Sequence, residues 1–143
     1  ALVVGRRMRA VAPEHARDHL LGCTIANDVS AMELINRDDS FAQWSRAKSF
    51  DTFGVLGPWI DTTFDWTSAS VHTRVNGRER QNYPLSDMIF EPLTLLSRLS
   101  HDMTLEPGDV VLCGTSVGSL PMRPGTDVEI EIDGLGVLSN RYG

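Results

Sequence analysis

Three short segments bring a carboxylate, an ammonium or a small hydroxyl to the end of an apolar run. In the first, residues 24–31 (Thr-Ile-Ala-Asn-Asp-Val-Ser-Ala), Asp28 follows the apolar stretch 23–26 and precedes Val29 and Ser30. Its carboxylate therefore falls where a buried strand meets a cleft. An oxygen there suits a hard divalent cation. It suits equally well an Asx turn in which Asp28 or Asn27 caps its own backbone, and the residues alone leave both readings open. In the second, residues 46–54 with Gly57-Pro58-Trp59-Ile60, Lys48 stands between Trp44 and the apolar stretch that ends in Trp59-Ile60. An ammonium partly withdrawn from water needs a negative partner, and beside a developing enolate it offsets the new charge. The other reading is a surface lysine laid along an aromatic patch. In the third, residues 103–109 running into Cys113-Gly114-Thr115, a glycine at a strand end lets a ligand approach the backbone. Thr115 then offers a hydroxyl and an N–H together to a carboxylate; alone, the same pair is also a turn.

The elements that must position these groups are legible as short strands and shorter helices. Residues 1–5 read as a strand, and 13–21 as a helix with Pro13 in its first turn and Gly22 at its stop. Residues 23–26 read as a buried strand that delivers Asn27 and Asp28. Residues 32–45 read as a long polar loop with at most a helical turn, of the kind used as a lid or binding loop. Residues 68–74 and 78–83 form a hairpin about Asn76-Gly77, both tolerant of positive φ. A helix capped by Ser86-Asp87 is expected to bury Ile89, Phe90, Leu93, Leu96 and Leu99, with a break or second start at Pro92. Residues 110–113 read as a fully buried strand, and the strict alternation of 128–132 turns through Asp133-Gly134 into 135–138. The class is α+β and rich in sheet, a single domain over residues 1–143.

Bulk properties narrow the function. A net charge of −6, with no basic run beyond Arg6-Arg7-Met8-Arg9, argues against nucleic-acid or membrane-surface partners. No apolar run approaches the roughly 18 residues of a membrane span. Cys23 and Cys113 lie in apolar segments without metal-type spacing, which predicts two buried, reduced thiols and a cytoplasmic setting. His15 and His19 share a helix face without a third ligand and are expected at the surface, His72 on an exposed strand and His101 just past a helix end. No Gly-x-Ser-x-Gly elbow or phosphate loop is present, so serine-hydrolase and nucleotide readings fail.

Taken together, the Asn27-Asp28-Val29-Ser30 run, the segment around Lys48 and Thr52, Gly57-Pro58-Trp59 and Gly114-Thr115 resemble the fumarylacetoacetate hydrolase family along nearly the whole chain. The resemblance implies a sheet-rich fold with rolled or barrel-like mixed sheets, a homodimer, and Mg²⁺ or Mn²⁺ held in part by Asp28. It implies Lys48 and Thr52 as catalytic groups, and Ser30, Gly114 and Thr115 as substrate contacts. The substrate would be a small 2-oxo or acylpyruvate-type acid, undergoing C–C hydrolysis, decarboxylation or enol–keto isomerisation of the kind found in aromatic catabolism.

The sequence also departs from the family pattern. The Glu-x-Glu run that usually completes the metal site lies upstream of the strand that begins here at Ala1; residues 1–5 read as a strand already under way, which predicts a chain that starts inside a larger polypeptide. Glu129-Ile130-Glu131 has that spacing but reads as the outer face of a hairpin strand. Met32 and Ile35 stand where the family usually has an arginine and a glutamine, and Ser116 where it has a proline. An enzyme with altered substrate choice is one reading; a catalytically degenerate binding or oligomerising module is the other.

Overall fold

The computed structural model describes residues 1–143. Its strands are β1 (Leu2–Val4), β2 (Leu20–Asn27), β3 (Val55–Asp61), β4 (Ser70–Val75), β5 (Arg78–Pro84), β6 (Val110–Val111), β7 (Thr126–Ile132) and β8 (Gly136–Tyr142). The helices are α1 (Pro13–Ala16), α2 (Met32–Ile35), α3 (Trp44–Lys48) and α4 (Pro92–Asp102). They form two four-stranded sheets, ordered β3-β2-β1-β6 and β5-β4-β7-β8. The sheet-rich α+β class holds. The sheets are open rather than closed into a barrel, and every strand pairing within them is antiparallel rather than mixed.

The inner faces share one core in which Val4, Cys23 and Ile25 of the first sheet meet Val71, Val128 and Ile130 of the second. The burial of β7 alternates residue by residue, as the sequence pattern requires. The β4–β5 turn places Asn76 at φ 50° and Gly77 at φ 74°, the paired positive angles of a type I′ turn. Three other loops begin with a different local device, an Asx-type turn. Asp38, Asp61 and Asp65 each accept the backbone N–H and the hydroxyl of Ser40, Thr63 and Thr67 two residues on. Those bonds hold all three carboxyls below the usual aspartate range.

Several boundaries differ from the sequence reading. The helix at 13 ends at Ala16 and passes through a 3₁₀ turn, and Leu20 and Leu21 already belong to β2. Gly22 is no helix stop. It sits inside β2, where a Cβ would lie 2.4 Å from the Asp61 carbonyl oxygen, so only glycine lets β3 come this close. Helix α4 starts at Pro92, as the proline demands, but its cap is the Glu91 carboxylate, which accepts the Thr94 N–H at 2.9 Å. Ile89 and Phe90 precede it and are exposed. The buried Ser97 and Ser100 bond to Val11 and lock α4 onto the chain before α1. Strand β6 covers only Val110 and Val111, and Leu112 is exposed.

Both cysteines are free thiols, Cys23 buried and Cys113 half-buried. Burial, first among the causes, pushes both up from the ordinary 9.0. Above about pH 9 the unfolded chain therefore loses these protons before the folded one does, and stability falls as pH rises. Urea midpoints measured from about pH 7 to about pH 10 are expected to drop less in a Cys23→Ala/Cys113→Ala double variant than in the wild type. Parallel curves would mean that the thiols do not contribute.

Candidate active site

Strand β1 runs antiparallel to both of its neighbours, so β2 and β6 point the same way. Leu2 pairs with Cys23 on one side and Val111 on the other, which sets those two residues level in the sheet. Asp28, just past β2, and Gly114-Thr115, just past β6, consequently leave the sheet at the same end. Their strands are two inter-strand steps apart, about 10 Å. Strand β3 begins at this end too, since its first residue, Val55, pairs with Asn27. Thr52 and Gly54 therefore arrive there as well, as does Ala1, whose amino group donates to the Thr24 carbonyl at 2.9 Å.

At this end the polar loop of the sequence reading folds into α2 and α3. Leu34, Ile35 and Ala47 close a small core of their own, and the Ala31 N–H donates to the Ala47 carbonyl at 2.9 Å. Helix α3 thereby carries Lys48 back to the residues after β2. The Lys48 ammonium donates to the Asp28 carboxylate and, at 2.9 Å, to the Ser30 hydroxyl. Ser30 in turn donates to the Asp28 carbonyl at 3.1 Å. The ammonium also lies 6.0 Å from the centre of the Trp44 ring. With side-chain exposures of 34% and 47%, Lys48 and Asp28 form a solvent-accessible ion pair. Such pairs contribute at most about 1 kcal/mol to stability. The pair fixes where the ammonium sits rather than holding the fold together.

The other site candidates are placed around this cluster without bonding to it. Thr52 is exposed, its hydroxyl makes no hydrogen bond, and its backbone is in the left-handed region at φ 69°. For a β-branched residue that conformation is strained, and such residues cluster at functional sites. Thr115 is exposed and its hydroxyl accepts from Gln81 Nε2 at 2.9 Å. The sequence reading missed Gln81: it sits in a run of polar residues that nothing local distinguishes, and only the structure shows it as the single buried residue of its strand. Trp59 is exposed, and its ring packs over Gly136, where a Cβ would come within 2.9 Å.

The donor set also tests the implied metal. Only one carboxylate enters the cluster, it is already engaged by Lys48, and no three His, Cys, Asp or Glu side chains converge anywhere in the chain. A divalent cation of this type needs several oxygen ligands. The residues of this chain do not fit it unaided. Glu129 and Glu131 lie on β7, and Glu131 is taken by Arg74 at 2.9 Å. His19 Nδ1 lies 2.9 Å from the Arg7 carbonyl, and His72 is flanked at 3.7 Å by Glu79 and Asp133.

Two open antiparallel sheets thus bring a lysine, a carboxylate and hydroxyls to one end. The sequence matches the family Fumarylacetoacetate (FAA) hydrolase C-terminal over residues 1–142, and the chain belongs to that family. The crystal structure of 5-carboxymethyl-2-hydroxymuconate delta-isomerase from Mycobacterium smegmatis superposes with a TM-score of 0.92 at 41% identity, covering 98% of this chain and 55% of that one. That of 2-hydroxyhepta-2,4-diene-1,7-dioate isomerase from Mycobacterium marinum also gives 0.92 at 41% identity, covering 98% and 54%. Oxaloacetate tautomerase YisK of Bacillus subtilis is 38% identical over 153 residues, all of this chain and 50% of that protein. The chain thus spans about half the length of the curated relatives it matches, 58% of a Methanocaldococcus jannaschii relative that is 39% identical. No helix is long and apolar enough to cross a membrane.

Proposed function

We propose that this chain supplies the substrate-orienting part of an enzyme that interconverts enol and keto forms of a small 2-oxo acid. The observation that carries the reading is the Lys48 ammonium, held by Asp28 and Ser30 at the end of the sheet where Thr115 also emerges. Isomerase and tautomerase relatives support the reaction class. In enol-to-keto conversion a proton leaves the enol hydroxyl and one is added at the neighbouring carbon, so the atoms balance without a co-reactant. Negative charge resides on the former hydroxyl oxygen between the two transfers. A positioned ammonium stabilises that enolate more than the neutral ends of the reaction, which is what lowers a barrier. Lys48 donates to the enolate oxygen, Asp28 and Ser30 hold Lys48 in place, and Thr52 and Thr115 position the acid. The functional assembly in this reading is a homodimer, supported by the exposed Leu56, Trp59 and Ile60 on edge strand β3 with Val137 on edge strand β8.

Oxalate, a planar dianion shaped like the enolate of a 2-oxo acid, is the probe. Calorimetry is expected to show saturable binding, and the protein is expected to hasten ketonisation of enol oxaloacetate over buffer. No binding and no acceleration would sink the enzyme reading. That result would favour the non-catalytic module, for which Met32, exposed, and Ile35, sequestered in the small core, are the supporting residues.

A further inference from the structure

We propose that Gln81 is a positioning residue that holds the 114–118 loop open to a substrate carboxylate and fixes Thr115 as the donor to it. This rests on the functional reading above. Gln81 is 8% exposed, on β5 of the second sheet, whereas the loop follows β6 of the first. Its amide nitrogen lies 2.9 Å from Thr115 Oγ1, 2.8 Å from the Ser116 carbonyl and 3.4 Å from the Val117 carbonyl. A primary amide has two protons, so the two shorter contacts take them and the third is a weak share. The loop is pressed onto β5 a second time at Gly118, at φ 109°, where a Cβ would lie 2.4 Å from the Arg80 carbonyl oxygen.

The polarity of this arrangement matters more than its firmness. Because Gln81 donates to Thr115 Oγ1, the threonine proton is left free to point outward. None of the backbone N–H groups from Gly114 to Leu120 donates to a protein oxygen. The exposed side of the loop therefore presents donors only where Gln81 has consumed the competing acceptors, which is the requirement for binding an anionic oxygen pair. Replacing the amide by a carboxylate of the same shape inverts this. A carboxylate at that position would repel the Ser116 and Val117 carbonyls and draw the Thr115 proton inward.

The test is Gln81→Glu on the full chain, read by ¹⁵N relaxation of residues 115–118 and by oxalate calorimetry. At about pH 7.5 the loop order parameter is expected to fall from about 0.85 to below about 0.6, and oxalate to bind about tenfold more weakly. At about pH 5.5 both are expected to return part of the way toward wild-type values, because a carboxyl buried among acceptors takes up a proton and again donates, to one acceptor where the amide serves two. A merely structural defect would not reverse with pH. An unchanged loop overturns the positioning role, and a loosened loop with unchanged oxalate affinity overturns the carboxylate role. Wild-type protein that binds no oxalate overturns the functional reading and the carboxylate role together, while the relaxation data still decide whether Gln81 holds the loop.

Discussion

Lys48→Met is expected to slow ketonisation of oxaloacetate by about 10²–10³-fold, the usual cost of removing one donor aimed at a developing oxyanion. Methionine keeps most of the apolar stem, whereas the charge is lost and with it the ammonium's place over the Trp44 ring. Oxalate binding is expected to weaken at least about tenfold, since a charge-assisted hydrogen bond contributes about 1.5–3 kcal/mol. Stability is expected to change by no more than about 1 kcal/mol, because the pair with Asp28 is accessible to solvent. Parallel rate, calorimetric and urea measurements separate these effects. A rate equal to that of the wild type would remove Lys48 from the chemistry, and a large loss of stability would mean that the ion pair is structural instead.

Ile25→Ala is expected to produce the largest loss of stability, about 2–5 kcal/mol. Ile25 is fully buried in β2, inside the core shared by both sheets, three residues before Asp28. Truncation leaves a cavity where the two sheets meet, and neighbouring strands held by backbone ladders on both sides cannot close over it. For a domain stabilised by about 5–15 kcal/mol in total, that is a large fraction. The urea midpoint is expected to fall with little change in slope. A loss below about 1 kcal/mol would show that the sheets can slide together to fill the space.

What was legible in the sequence was whatever local chemistry alone decides. Asn76-Gly77 announced its turn because those two residues tolerate the angles the turn requires, and residues 128–132 announced a strand because alternation has one structural meaning. Strand β3 was not read as a strand, because Gly57-Pro58 interrupts its pattern and because it lies at a sheet edge with both faces partly exposed. Gly22 was misread for a related reason: its role is set by a carbonyl 39 residues away, and nothing near it in the chain reports that neighbour. The site divides along the same line. Asp28, Lys48 and Ser30 were recognisable one by one, and the structure joins them through a helix pair the sequence showed only as a polar loop. Thr115 was recognisable, but its partner Gln81 lies on another sheet.

The separate small core formed by Leu34, Ile35 and Ala47 shares no buried residue with the main one. Drift in the segment from Met32 to Ser49 is thereby insulated from foldability, since a substitution there costs part of a three-residue cluster and leaves the sheets intact. The cost falls instead on the aim of Lys48. The same partition that shelters the scaffold puts Met32 and Ile35 in the stretch that sets where the Lys48 ammonium sits.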